Sequence, residues 1–168
     1  IISYPKCGRT WVRLVLGKYV MNGIEGDPLE LFEITSQSTG VPTTDVIHDD
    51  NPHWKPVDKI HLKKQMYRDN KVVFIVRDPR DVLVSYFFHY TRRGDKYRAK
   101  DPDFNGSLSD FIHHNIGSLE SIIKFYNVWA RERGEPRDFY LMRYEDLQAD
   151  PKGSFRDMIS FLDWPDHG

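Results

Sequence analysis

The order of apolar and polar residues predicts strands and helices that alternate along the chain. Residues 72–76 form a continuous apolar run, which is typical of a strand buried on both faces of a parallel sheet. Other strands are predicted just before Ser3, at 57–62 and at 139–144. Apolar residues spaced three and four apart predict helices at 12–21, 79–90, 108–114 and 118–133, and a last helix that Asp150 and Pro151 begin. This alternation indicates an α/β fold in which helices flank a largely parallel central sheet.

Capping and turn residues define several boundaries of these elements. Thr10 is a favourable N-cap for the first helix, and Asp78 followed by Pro79 suits the start of the helix after the apolar strand. Asn22-Gly23 suits a left-handed helix end. Irregular connections are predicted at 24–56, with a short helix over 29–34, at 63–70, at 91–106 and as a turn at 145–147.

The opening segment, Ser3-Tyr4-Pro5-Lys6-Cys7-Gly8-Arg9-Thr10-Trp11, is the most informative one. A strand, a tight turn with Lys6 and Gly8, and a helix together surround one anion with backbone N–H groups, a helix N-terminus and a cation. The spacing is not that of the Walker loop, because Lys6 precedes Gly8 and no glycine comes earlier. The segment therefore predicts a phosphate-binding loop of another kind.

Four polar side chains are predicted at or just past the ends of strands. They are Lys6, His61, Arg77 and Tyr144. Because ligands of parallel α/β sheets bind at the carboxyl ends of the strands, we expect these side chains to share one site.

Composition limits the classes of function. A chain of 168 residues, with 39% hydrophobic and 29% charged residues, is expected to form one globular domain. A formal net charge of −1 argues against general binding of nucleic acid or anionic membranes, so any anion site has to be a local cluster. The single cysteine, Cys7, excludes an internal disulfide and fits a reducing, cytoplasmic compartment. No apolar run approaches the ~20 residues of a membrane span.

Four separated segments resemble those of the cytosolic-type sulfotransferases, which use 3′-phosphoadenosine 5′-phosphosulfate (PAPS). The opening SYPKCGRTW resembles their 5′-phosphosulfate loop, and KIHL at 59–62 resembles their KTHL segment. VVFIVRDPRDVLVSYFFHY is similar to their 3′-phosphate segment, and MRYEDLQADP to the segment whose tyrosine lies near the adenine. The order and approximate spacing also agree over nearly the whole chain.

The resemblance implies a three-layer, P-loop NTPase-like fold and a direct, in-line transfer of the sulfuryl group to an acceptor hydroxyl or amine. Lys6 is implied to stabilise the leaving phosphate and His61 to act as general base. Lys59, two residues earlier on the predicted strand, would point the same way as His61 and could support the sulfuryl group; the alternative is a surface lysine. PAPS is implied to bind to these residues: Lys6, Cys7, Gly8, Arg9, Thr10, Trp11, Arg77, Ser85 and Tyr144. In-line transfer requires no metal, and His48-Asp49-Asp50 with His53 has metal-ligand residue types without a recognised ligand spacing.

Some features depart from the family pattern. Cys7 replaces the usual serine and Arg9 the usual threonine, changes that leave a backbone cradle possible. The arginine-lysine-glycine segment that closes over the 3′-phosphate has no counterpart, so we expect residues 1–168 to be a single domain that is incomplete at both ends and lacks this lid.

Two other functions stay open at this point, a P-loop nucleotide kinase and a non-catalytic nucleotide-binding module. Lys6 before Gly8 and the lack of a carboxylate for a metal after an apolar strand count against the kinase. The expected partner is a small-molecule, lipid or carbohydrate acceptor. Residues 24–56 and 91–117 are expected to shape the pocket that binds it.

Overall fold

The carboxyl ends of three parallel strands meet at one edge of a central sheet. The structure is a computed structural model and describes residues 1–21, 25–29, 41–92 and 104–165. Its strands are β1 (Ile2–Ser3), β2 (Lys71–Val76) and β3 (Asp138–Arg143), and they pair in the order β1-β2-β3. Phe74 of β2 lies beside Ile2 of β1 and Leu141 of β3, and both pairings are parallel. The largely parallel sheet predicted from the sequence is confirmed.

The helices follow the strands along the chain. Those whose bounds are described are α1 (Arg9–Met21), α2 (Pro79–Arg92), α3 (Leu108–Ile112), α4 (Leu119–Glu132), α5 (Tyr144–Ala149) and α6 (Pro151–Phe161). Short 3₁₀ helices occur at Pro52–Trp54, Val57–Lys59 and Gln65–Tyr67. Ser118 caps α4 by accepting a hydrogen bond from the Ser121 N–H, and Asp150 caps α6 by accepting one from the Gly153 N–H.

Aromatic side chains join the sheet to a helical layer on each face. Phe74 of β2 stacks on Trp129 of α4, with ring centroids 5.4 Å apart. Tyr140 of β3, which points to the other face because side chains alternate along a strand, stacks on Phe161 of α6 at 5.4 Å. Three layers result, and the buried core lies on both sides of β2.

The strand predicted at 57–62 is wrong. Val57 and Ile60 are the buried residues of this stretch, a spacing of three that suits the observed 3₁₀ turn and not the two-residue period of a strand. The chain instead meets the sheet earlier, where Ile47 forms a parallel bridge with Ile2.

Other boundaries differ by smaller amounts. The predicted turn at 145–147 is part of helix α5, and α1 begins at Arg9, so that Thr10 lies inside its first turn rather than capping it. The predicted cap at Asn22-Gly23 and most of the predicted short helix at 29–34 lie outside the described residues, as do positions 93–103 of the predicted irregular connection.

Candidate functional site

The loop between β1 and α1 adopts a conformation that suits an anion. Lys6 and Gly8 both have positive φ angles, 71° and 92°, and the Val12 N–H donates to the Gly8 carbonyl at 3.1 Å to start the helix. A Cβ atom at Gly8 would lie 2.7 Å from Cδ2 of Tyr144. The backbone therefore turns tightly against Tyr144, and both the φ angle and the available space require glycine.

Arg77 joins the loop to the ends of the other strands. It follows β2, its Nη1 donates to the Lys6 carbonyl at 3.1 Å, and its guanidinium carbon lies 4.6 Å from the centroid of the Tyr144 ring. Its Nη2 lies 3.4 Å from Asp81 Oδ2. The buried Nε has no hydrogen-bond partner among the described residues, and the two terminal nitrogens each keep an N–H beyond the contacts with Lys6 and Asp81.

Cys7 faces the interior and not the cavity. Its Sγ lies 3.3 Å from the Tyr126 hydroxyl, which in turn donates to the Arg77 carbonyl at 3.0 Å and accepts from the Arg77 N–H at 3.2 Å. Burial raises the pKa of the Cys7 thiol to about 12. A neutral, enclosed thiol is not a nucleophile, so Cys7 serves the loop through packing and its backbone.

A cavity of about 910 Å³ opens at this edge of the sheet. The predicted site residues that line it are Lys6, Gly8, Arg9, Thr10, His61, Arg77, Ser85 and Tyr144. Trp11 lies behind the lining, with its ring edge-on to Tyr144 at 6.2 Å. Lys59 is not in the lining: its side chain is 70% exposed and lies 3.2 Å from Asp58 Oδ2.

A second cavity, of about 1020 Å³, lies along β2, β3 and α4. Its lining includes Phe139, Leu141, Arg143 and Arg77, but no residue of the opening loop. Although it is larger and reaches the start of α2, it lacks the backbone of the Lys6 and Gly8 loop and the start of α1. The cavity of about 910 Å³ is therefore the better candidate site.

His61 stands at the rim of the candidate site, held by a carboxylate that the sequence analysis missed. The backbone N–H of His61 donates to Asp50 Oδ2 at 2.7 Å, and the ring Nδ1 lies 3.1 Å from Asp50 Oδ1. The same Oδ1 pairs with the Lys55 ammonium at 2.5 Å. Burial alone would raise the pKa of Asp50, but the His61 N–H and the Lys55 ammonium outweigh it and lower that pKa. The His61 side chain is 72% exposed.

His48 lies deeper, beside β1. The Ile47 N–H donates to the Ile1 carbonyl at 3.0 Å and the Ser3 N–H donates to the Ile47 carbonyl at 3.3 Å, so this segment runs parallel to β1. His48 follows directly, lines the cavity, and places Nδ1 2.9 Å from the Ser3 carbonyl oxygen. Burial and the positive charge of Arg9 lower the pKa of His48 to about 4.

A buried ionic cluster fixes the turn that follows His48. Asp49 is buried, and its carboxylate accepts from the Tyr67 hydroxyl at 2.7 Å and from Trp129 Nε1 at 3.0 Å. The buried Lys64 ammonium pairs with it at 2.6 Å. In the sequence, the segment beside β1 is marked only by the pair Val46-Ile47 before His48, and two apolar residues are too short a signal to predict a strand.

Comparison with known proteins identifies the family. A family described as "Sulfotransferase domain" matches residues 1–167. The chain belongs to this sulfotransferase family. The α/β fold and the resemblance found in the four segments agree with that membership.

Individual relatives support the same conclusion. Sulfotransferase 1 family member D1 of Mus musculus is 26% identical over 97% of this chain and 58% of its own length. Flavonol 3-sulfotransferase of Flaveria bidentis is 25% identical over 98% of this chain and 56% of its own length. Sulfotransferase 2B1 of Homo sapiens is 30% identical over 98% of this chain and 46% of its own length. The 168-residue chain thus spans about half the length of these relatives.

In the part of the chain that the structure describes, no group of three or more His, Cys, Asp or Glu side chains could hold a metal ion. None of the described helices is long and apolar enough to cross a bilayer.

Proposed function

We propose that this domain binds PAPS in the cavity of about 910 Å³ and transfers its sulfuryl group to an acceptor hydroxyl. The observation that carries the proposal is the partly exposed guanidinium of Arg77, which lines the cavity beside the left-handed loop of Lys6 and Gly8. A guanidinium donor, a lysine and a helix N-terminus at one edge of a sheet form a site for a ligand with several phosphate oxygens.

The residues around the cavity divide between the two ends of such a donor. Lys6 and the backbone from Gly8 into α1 suit the 5′ end, while Arg77 and Ser85 suit the 3′-phosphate. The Ser85 hydroxyl makes no hydrogen bond with the other described residues, and it lines the same cavity as Arg77. Tyr144, held between Gly8 and the Arg77 guanidinium, offers a ring face or edge for the adenine.

Transfer of a sulfuryl group requires alignment and neutralisation of charge more than covalent chemistry by the protein. PAPS would supply an activated sulfuryl group on a phosphate leaving group. Lys6 would stabilise the negative charge that develops on that leaving group. A histidine of the cavity would receive the acceptor's proton, and the resemblance names His61, whose ring Asp50 orients.

The acceptor is proposed to be a small molecule with an apolar body, in preference to a lipid or a carbohydrate. Trp54 and Met66, both exposed, line the cavity on the side of His61 that is formed by the connection between β1 and β2. Exposed aromatic and thioether groups at a cavity mouth favour apolar surfaces. One relative, the flavonol 3-sulfotransferase, is named for an aromatic acceptor of its own.

Binding is tested by thermal shift with adenosine 3′,5′-bisphosphate (PAP, the desulfated product), with ATP, and with ATP plus magnesium. PAP alone is expected to raise the midpoint of unfolding by several degrees at about 100-fold excess over its dissociation constant. Stabilisation by ATP with magnesium and not by PAP would instead indicate a kinase.

Transfer is tested with sulfur-labelled PAPS and a panel of phenols, aliphatic alcohols, sterols and glycans. The expected result is label in at least one hydroxyl acceptor, with phenols ahead of glycans. Binding of PAP without transfer to any acceptor would favour the non-catalytic nucleotide-binding module.

A further inference from the structure

The hydroxyl of Tyr126, on α4, contacts two of the segments that surround the candidate site. It donates to the Arg77 carbonyl at 3.0 Å and accepts from the Arg77 N–H at 3.2 Å. Cys7 Sγ, in the loop after β1, lies 3.3 Å from the same hydroxyl. One helical side chain thus joins the segment after β1 to the segment after β2, although it is not in the lining of the candidate site.

These bonds take the place of a strand neighbour for Arg77. The last pairing of β2 with β1 is at Ile75 and its last pairing with β3 is at Val76, so Arg77 lies just past both ladders. A neighbouring strand normally bonds with both the N–H and the C=O of a paired residue. The Tyr126 hydroxyl satisfies both groups at once and holds the Arg77 backbone where the sheet no longer does.

A carboxylate holds the next residue. The Asp78 N–H donates to Glu145 Oε1 at 2.8 Å, and Glu145 lies in the first turn of α5. Two successive residues after β2 are therefore fixed by side chains from two different helices. The Arg77 side chain leaves the backbone from this fixed point, which limits where its guanidinium can reach in the cavity.

The Tyr126 oxygen uses its full capacity for hydrogen bonds. Burial raises the pKa of the hydroxyl above its ordinary value, and the nearby Cys7 and Glu145 raise that pKa further, so the hydroxyl keeps its hydrogen. This hydrogen goes to the Arg77 carbonyl, because a carbonyl oxygen only accepts. The two lone pairs of the oxygen then accept from the Arg77 N–H and from the Cys7 thiol.

We infer that Tyr126 is a positioning residue of the donor site. Its hydroxyl fixes the separation between the Lys6 loop and the Arg77 guanidinium, and so matches the site to a nucleotide with a phosphate at both its 5′ and its 3′ end. A ligand held at two points gains affinity from the second point only if the spacing fits. This inference rests on the proposed function, and its tests separate the two.

The first test needs no ligand. Amide hydrogen exchange followed by NMR should show the Arg77 N–H exchanging at least about tenfold faster in Tyr126→Phe than in the wild type, with Phe74 in the middle of β2 unchanged. Phenylalanine keeps the ring that lies edge-on to Phe74 at 6.1 Å, so we expect the variant to fold. Equal exchange of the Arg77 N–H in both proteins, or the same acceleration at Phe74, would overturn the inference.

The second test compares three nucleotides by calorimetric titration. Tyr126→Phe should weaken PAP at least about tenfold, and adenosine 5′-phosphate and adenosine 3′-phosphate by less than about threefold each, because each end alone does not depend on the spacing. The bond from Arg77 Nη1 to the Lys6 carbonyl remains, so PAP binding should weaken and not disappear. Tyr140→Phe is the matched control, since Tyr140 stacks on Phe161 and lines neither cavity. Equal losses for the three nucleotides, or an unchanged PAP affinity, would contradict a positioning role.

A double variant tests whether the loop is held through Tyr126. Cys7→Ala should weaken PAP less than Tyr126→Phe does, and the two changes together should match Tyr126→Phe within about threefold, because the thiol acts on the site through the hydroxyl. A combined loss equal to the product of the two single losses would show that Tyr126 does not link the loop to Arg77.

Steady-state transfer from PAPS gives the last distinction. Tyr126→Phe should raise KM for PAPS at least about tenfold and leave KM for the acceptor within about threefold of wild type. A rise in KM for the acceptor alone would overturn the inference. Failure of the wild type to bind PAP would overturn the proposed function instead, and hydrogen exchange would then decide whether Tyr126 holds Arg77.

Discussion

The side chain of Arg77 contacts three residues around the candidate site. It donates to the Lys6 carbonyl, packs on the Tyr144 ring and lies near Asp81, so it touches the segments that follow β1, β2 and β3. The same side chain thus has contacts within the fold and the proposed role of anion ligand. A substitution can separate the two, because the proposed role depends on a planar guanidinium with several donors.

The change Arg77→Lys keeps the charge and removes the fork of donors. We expect the affinity for PAP to fall at least tenfold more than the affinity for adenosine 5′-phosphate, since only PAP presents a 3′-phosphate. Calorimetric titration of both nucleotides measures the difference. Arg80→Lys is the control, because the Arg80 side chain is 84% exposed and pairs with Asp78. Equal losses for both nucleotides would place Arg77 away from the 3′-phosphate.

Gly8→Ala tests the conformation of the loop. The new Cβ would approach Tyr144 to 2.7 Å at a φ angle of 92°, so we expect the free energy of unfolding to fall by about 1–3 kcal/mol and PAP binding to weaken at least tenfold. Urea unfolding and titration measure the two effects. Gly134→Ala is matched to it, since no heavy atom lies within 4 Å of the added Cβ. Similar behaviour of the two variants would contradict the close packing described here.

The buried thiol of Cys7 gives a pH-dependent prediction. Because burial raises its pKa to about 12, folding favours the neutral thiol, and its contribution to stability is complete below the unfolded pKa of about 8.5 and declines as pH rises above that value. Relative to Cys7→Ala, the wild type should lose about 1–2 kcal/mol between about pH 7 and pH 10. Unfolding curves at both pH values measure the loss, and a constant difference would mean that the thiol ionises in the folded protein.

At the residue scale, what could be predicted depended on separation along the chain. Lys6, Gly8 and Arg77 belong to short segments whose spacing carries their chemistry, and the structure brings them to one cavity. His48 meets Ser3 across 45 positions, and Asp50 meets His61 across 11. Such pairs depend on the path of an irregular connection, which a local pattern does not encode.

Among the elements, periodic segments were predicted well and the connection between α1 and β2 was not. β2 is a continuous apolar run and α4 has a strong helical period, and both, like β3, were predicted within one or two residues of their observed bounds. The stretch around Val57 alternates like a strand only if Lys59 and His61 are counted as inward, yet both are exposed. Burial of Val57 and Ile60, three residues apart, instead favours the 3₁₀ turn that the structure shows.

The same connection is braced internally by the Asp49 and Lys64 pair, and it contacts α4 through the hydrogen bond from Trp129 Nε1 to Asp49. Asp49→Asn would leave the buried Lys64 ammonium without its partner carboxylate, so we expect a loss of about 3–5 kcal/mol in the free energy of unfolding. Denaturant titration measures it. Adding Lys64→Met should recover at least half of the loss, and Asp58→Asn, on an exposed pair with Lys59, should cost less than about 0.5 kcal/mol. A single variant as stable as the wild type would mean that the pair does not anchor this connection.

At the scale of the whole molecule, charge and surface are distributed unevenly. The formal net charge of −1 gives no general attraction for an anionic donor, so its capture depends on the local cations of the cavity. On the opposite flank of the described sheet, β3 has only one strand neighbour, and Leu141 is 52% exposed. An exposed apolar residue on such a strand favours association between molecules.

Leu141→Lys is therefore expected to reduce concentration-dependent self-association without changing PAP affinity beyond about twofold. Sedimentation velocity over a range of concentrations measures the association. Ile123→Lys, which places the same charge on an exposed position of α4, should have a smaller effect. If both substitutions act equally, net charge and not the strand controls the association.

Arg77 and Ser85 differ in how many contacts they make within the fold, and this difference predicts how each residue changes in related sequences. Arg77 would be retained by selection for folding even in a lineage that had lost the proposed sulfuryl transfer, because Arg77 contacts Lys6 and Tyr144. Ser85 has no such second constraint, since its hydroxyl bonds to none of the other residues described. If the proposed activity decays in a lineage, loss of the serine beside a preserved arginine is therefore expected before any change in the loop.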